Sequence, residues 1–144
     1  MLSLKEKIEK DFVIAFKERS VLKKNTLGML KTRIVEFTKS KKTEVTDEVI
    51  LEIIFSEIKK RNQTCSLIGK ETELYKNTEL EIEFLKSYLP LQLTKTEMLD
   101  IINSLGFDKS DKTVMGLIMK EFNLNYKGKF DNQILKEIIE EWKS

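Results

Sequence analysis

Apolar residues recur at helical spacing along nearly the whole chain. Leu4, Ile8, Phe12, Ala15 and Phe16 form one stripe behind Ser3-Leu4-Lys5-Glu6, a capping-box sequence, and predict a first helix over about residues 4–18. A polar interval from Arg19 to Asn25 leads into Leu27, Leu30, Ile34 and Phe37, the stripe of a second helix that ends in the charged run Lys39 to Glu44. Thr46 followed by Asp47 and Glu48 is an N-cap with acids in the first turn, where they complement the helix dipole. Behind it Val49, Ile50, Leu51, Ile53, Ile54, Phe55 and Ile58 cover so much of the circumference that a central, mostly buried third helix is expected, running to about Leu67. A turn between Gly69 and Asn77 then precedes a fourth helix reaching Pro90, with Leu80, Phe84, Leu85, Tyr88 and Leu89 on its apolar side.

Pro90 forces a joint, because it disfavours helical geometry in the residue before it and supplies no N–H. Four residues later Thr94-Lys95-Thr96-Glu97 again has the capping-box form, so a fifth helix starts at once, using Met98, Ile101, Ile102 and Leu105 and stopping at Gly106. Ser110 is expected to cap a sixth helix carrying Val114, Met115, Leu117, Ile118 and Phe122, in which Gly116 marks close helix packing. After a polar turn from Asn123 to Lys129, Phe130, Ile134, Leu135, Ile138, Ile139 and Trp142 belong to a closing helix. No strand stands out. The chain reads as all-α, with an N-terminal helical subdomain over residues 1–92 and a C-terminal three-helix subdomain over 93–144.

Composition agrees and narrows the chemistry. At 144 residues the chain buries roughly two-thirds of its unfolded surface, enough for a core. The lone Cys65 makes no internal disulfide, no leader is read before Ser3, and no apolar run approaches a membrane span. A cytoplasmic protein without a membrane partner is expected. Net charge is only +2, but residues 17–42 hold nine basic and two acidic residues, placing the basic footprint in the N-terminal half.

Catalytic hardware is sparse. The chain has no His, which removes the commonest general base and metal ligand, and one Cys is too few for a Cys-based zinc site. No phosphate-cradling GxxxxGK[ST] or GxGxxG sequence occurs. Glu79, Glu81 and Glu83 alternate along a helix and so point in different directions. No catalytic residue, metal ligand or cofactor is assigned.

Three constellations remain. Arg61 falls within the apolar arc of Ile50, Ile54 and Ile58, and Glu81 within that of Leu80, Phe84, Leu85 and Tyr88, so these two charges are expected to meet between the third and fourth helices as a structural pair. Lys24 and Lys31 flank the second helix's stripe and either present a positive ridge to phosphate or lay their stems beside the core, with Arg33 on the opposite flank. Lys127-Gly128-Lys129, just ahead of the last helix, combines two ammonium groups, a glycine and helix N-terminal amides, which suits a phosphate. Tyr88 and Trp142 offer rings for base stacking, though each lies on a core stripe.

The wording around the joint resembles the signature of the GatB/YqeY family: Glu79, Glu81 and Glu83, then Leu85, Tyr88-Leu89-Pro90, Gln92-Leu93-Thr94 and Glu97. Glu57-Ile58-Lys59-Lys60-Arg61 is similar to its Glu-x-Lys-x-Arg segment, Val114-Met115-Gly116 to its Val-Met-Gly segment, and Gly128-Lys129-Phe130-Asp131-Asn132-Gln133-Ile134 to its Gly-Lys-x-x-Asn-x-hydrophobic stretch. The resemblance implies an N-terminal four-helix unit followed by a C-terminal three-helix unit. It departs from the family at Gly28, where an Arg is usual, at Lys112-Thr113, where a Gly-Lys is usual, and at Lys127, where an Asp is usual.

The same module resembles the tail of the B subunit of the tRNA-dependent amidotransferase, which contacts tRNA while the chemistry occurs elsewhere. The resemblance therefore implies a non-catalytic tRNA-binding accessory module, with tRNA, amidotransferase subunits or another protein as partner. It also carries a family label of carbon-nitrogen ligase with glutamine as amido-N-donor, for which this sequence offers no nucleophile or ATP site. The alternative is a protein-protein interaction module with no RNA role, docking a partner helix in an apolar groove.

Overall fold

A computed structural model describes residues 3–144. The described residues form seven α-helices, α1 (Leu4–Lys17), α2 (Val21–Lys41), α3 (Asp47–Leu67), α4 (Glu73–Lys86), α5 (Lys95–Leu105), α6 (Val114–Asn125) and α7 (Asn132–Lys143), and no strand. They divide into two compact units, Met1–Leu89 and Pro90–Ser144.

In the first unit, helix ends are set by local hydrogen bonds. Ser3 Oγ accepts the Glu6 amide at 3.2 Å, while the Leu4 amide donates to Asp47 Oδ1 at 3.0 Å, so the acid that opens α3 also holds the start of α1. The α1–α2 connection is confined to Glu18–Ser20, with Arg19 in the left-handed region at φ 58°. α2 thus begins well before the expected end of the polar interval. Lysines on an outer helical face signal exposure and do not break a helix. Thr46 caps α3 by accepting the Val49 amide at 3.3 Å, and α3 ends at Leu67. The following turn is also shorter than its polar composition suggests, because Thr72 accepts the Tyr75 amide at 3.2 Å and starts α4 there.

Helix α4 stops at Lys86, ahead of Pro90. The last residues tighten into three-residue bonds, Tyr88 N–H to the Leu85 carbonyl at 3.1 Å and Leu89 N–H to the Lys86 carbonyl at 3.0 Å. The core comprises Ile8, Ala15, Leu27, Leu30, Ile34, Ile50, Ile54, Ile58, Ile82, Leu85 and Tyr88. α3 buries one stripe and leaves Leu51, Ile53 and Phe55 half-buried, unlike the mostly buried helix its composition suggested. Two further stripe residues face water: Phe16 is 59% exposed and Leu80 is 57% exposed, and α4 packs through Ile82 instead.

The second unit opens with the complete capping box at Thr94, whose hydroxyl accepts the Glu97 amide at 3.1 Å while Glu97 Oε1 accepts the Thr94 amide at 3.0 Å. Gly106 closes α5 at φ 69°, a conformation costly for any residue with a Cβ. Ser110 does not cap α6. Its amide and hydroxyl both bind Asp108 Oδ1, and a second such turn follows in which Asp111 Oδ1 accepts from Thr113, so α6 starts at Val114 without a side-chain cap. These bonds hold both aspartates below the ordinary carboxylate range. Gly116 is exposed and a Cβ there meets nothing within 4 Å, so it marks no close packing. The core gathers Met98, Ile102, Val114, Ile118, Phe122, Phe130, Leu135, Ile138 and Ile139, with Ile134 left half in water.

Candidate nucleic-acid interface

Lysines of α2 lie on aromatic rings of α1. Lys24 Nζ is 5.0 Å from the Phe16 ring centroid and Lys31 Nζ is 4.3 Å from that of Phe12. Lys23 approaches Phe84 at 5.8 Å, and Lys7 of α1 approaches Tyr88 at 5.3 Å. Among the described residues none of these four ammonium groups forms an ion pair. A groove of about 270 Å³ continues the face, with Ile8, Ile34 and Val35 in its lining beside Lys5, Lys31 and Lys39.

Lys24 and Lys31 share one side of α2, since a step of seven residues returns to within about 20° of the same direction, whereas Lys39, eight residues further on, lies about 80° around the helix from Lys31. Of the two sequence readings of Lys24 and Lys31, these contacts show the stems lying beside apolar surface, with each ammonium group over a ring. Each ring contact contributes about 0.5–1 kcal/mol at an exposed site, too little to hold an ammonium against a phosphate.

The Lys127-Gly128-Lys129 turn is built differently from its sequence reading. Gly128 has φ 82° and its carbonyl accepts from Gln92 Nε2 at 2.8 Å. The Lys129 carbonyl accepts the Leu93 amide at 2.8 Å, and the Lys129 amide donates to the Tyr126 carbonyl at 2.9 Å. At the start of α7, Asp131 Oδ1 takes the amides of Gln133 at 2.8 Å and Ile134 at 3.3 Å. Those helix amides are thus committed to a carboxylate within the chain.

Arg61 and Glu81 meet, with Arg61 Nε donating to Glu81 Oε2 at 3.0 Å and Arg61 Nη1 donating to the Glu57 carbonyl at 3.2 Å. Sequence reasoning missed the deepest charge of the cluster. Glu57 is 2% exposed, and its Oε1 lies 3.7 Å from Arg33 Nε and 3.9 Å from Arg61 Nη1 without a hydrogen bond. Its Oε2 lies 3.5 Å from Lys60 Nζ. The available signal was its position three residues after Ile54 and four before Arg61, on the same face. Arg33, Glu57 and Lys60 line a cleft of about 290 Å³ between α2 and α3. A carboxylate at its centre opposes an anionic ligand, so the cluster ties α2, α3 and α4 together as a structural network.

Neither ring offered for stacking stands free: Tyr88 is 7% exposed with its hydroxyl donating to Asp11, and Trp142 Nε1 donates to Asn103 Oδ1 at 2.9 Å. Phe16, 59% exposed beside Lys24, was not singled out because its spacing places it on the core stripe. Among the described residues no group of three or more His, Cys, Asp or Glu side chains is arranged to hold a metal ion, and no helix is long and apolar enough to cross a membrane.

Residues 5–142 match the family model described as Yqey-like protein. No curated protein matches the chain.

Proposed function

This chain belongs to the YqeY-like protein family, and on that footing we propose that it is a non-catalytic tRNA-binding accessory module, related to the tail of the glutamine-dependent tRNA amidotransferase and acting in the cytoplasm. The observation that carries this reading is the pair of lysines of α2 lying on phenylalanines of α1, where Lys24 and Lys31 form no ion pair among the described residues. Nine basic residues against two acidic ones over 17–42 supply the surrounding field. Lys127 and Lys129 form a secondary contact through their side chains. The carbon-nitrogen ligase label of the related enzymes describes chemistry done by other domains.

The test is binding of the purified protein to a mixed tRNA pool at two salt concentrations. Three or four phosphate contacts give a log-log slope of about −2 to −4. The Lys24→Ala, Lys31→Ala double variant weakens binding and flattens the slope; the Lys127→Ala, Lys129→Ala variant does so to a smaller extent. Affinity independent of salt removes the reading.

A second reading, a protein-interaction module, draws on exposed leucines: Leu67 is 84% exposed and Leu74 57%. Recovery of a specific protein after nuclease treatment, with no tRNA binding by the pure chain, favours it.

A further inference from the structure

We infer that the ring of Phe16 is a stacking platform for an unpaired RNA base, with Lys24 holding the adjoining phosphate. The inference rests on the RNA-binding reading above and specifies what part of an RNA this face takes. Phe16 follows Phe12 by one helical turn, yet the chain leaves it 59% exposed. Val13, three residues earlier and 50% exposed, extends the apolar island. Lys10 and Lys17 flank Val13 on the helix surface at i−3 and i+4, and Lys24 reaches over from α2 to 5.0 Å from the ring. Phe12 differs, being half-buried beneath Lys31 and close enough to Gly28 that a Cβ there sits 3.7 Å from Phe12 Cε2. Phe12 packs; Phe16 presents.

The occupant follows from complementarity. A flat exposed ring with one ammonium group 5.0 Å from its centroid matches a ligand with a π-face joined to an anion, which is a nucleotide. In a duplex the base faces are already covered by their neighbours, so the site selects unpaired residues. An acidic peptide satisfies the lysines but uses the aromatic face no better than a leucine would.

The experiment compares a single-stranded oligonucleotide carrying one 2-aminopurine with the same sequence in a duplex, against wild type, Phe16→Leu and Phe16→Trp. Wild type binds the single strand more tightly and quenches the fluorophore. Phe16→Leu, which keeps apolar bulk without a π-face, loses about five- to 150-fold in affinity together with the quench, and Phe16→Trp retains both. Circular dichroism controls for folding, which an exposed position leaves intact. Equal binding by Phe16→Leu, or equal binding of duplex, overturns stacking, while salt-sensitive tRNA binding in the same samples leaves the RNA reading standing. No binding to any RNA overturns both. Binding to anionic phosphatidylserine vesicles that needs Phe16, without RNA binding, reassigns the island to a lipid surface.

Discussion

Tyr88 Oη donates a 2.7 Å hydrogen bond to Asp11 Oδ2, joining the turn after α4 to the middle of α1. Burial, then the bond to Asp11 and its negative charge, push the phenol well above its ordinary value of 10.0. The folded protein therefore keeps a proton that the unfolded chain releases as pH rises past about 10. Stability from this group is full below that value and is lost above it, by up to about 1.4 kcal/mol per pH unit. Thermal midpoints recorded against pH are expected to fall less steeply above pH 10 in Tyr88→Phe than in wild type. At neutral pH the variant costs about 1 kcal/mol, because Asp11 is only half-buried and rehydrates.

The Glu57 cluster predicts an asymmetry. Glu57→Ala is expected to cost about 2–4 kcal/mol, since it leaves a hole and removes a counter-charge from Arg61, which is only 12% exposed. Arg33 and Lys60 are 41% and 49% exposed, and each alanine variant leaves the buried Glu57 with its two other cations, so each is expected to cost less than Glu57→Ala. Glu57→Met, which fills the space, is expected to be milder than Glu57→Ala because Oε1 makes no hydrogen bond to lose. Urea midpoints of the four variants check the order.

Gly28 lies between Lys24 and Lys31 in α2, at a position where the family resemblance read from the sequence implies an Arg. A Cβ there meets Phe12 Cε2 at 3.7 Å, an ordinary contact. Gly28→Arg is expected to stabilise α2 by about 0.5–1 kcal/mol through helix propensity. It should also raise tRNA affinity and steepen the log-log salt slope by about one. A rise in the thermal midpoint with an unchanged slope would detach this face from RNA.

The choice between Leu80 and Ile82 tests which face of α4 carries the core. Ile82 is 6% exposed and Leu80 is 57% exposed. Ile82→Ala is expected to cost about 2–4 kcal/mol, and Leu80→Ala less than about 0.5 kcal/mol. Similar midpoints for the two variants in urea would contradict the packing.

Those two residues also illustrate why part of the fold was not legible in the sequence. Leu80, Ile82, Phe84 and Leu85 surround most of a short helix, so periodicity admits more than one buried face. The presence of α4 was readable; its rotation was not. The same holds at the candidate site. Lys24 and Lys31 were visible as a charged flank, but the rings beneath them come from α1, and only the packing of α1 on α2 brings Phe12 and Phe16 under those ammonium groups. Arg61 and Glu81 were visible as charges on apolar arcs, whereas Glu57 was hidden because several of its neighbours in sequence are themselves polar.

The sequence alone therefore determined the all-helical fold and the caps at Thr46, Thr94 and Gly106, because these depend on bonds and dihedrals within three or four residues. Its family signatures agree with the match over residues 5–142. Tertiary structure decided which stripe of each helix is dry, that Glu57 sits among three cations and that Phe16 stays in water. Burial and charge pairing are set by what a neighbouring helix places opposite a residue, and that neighbour is fixed only when the core assembles.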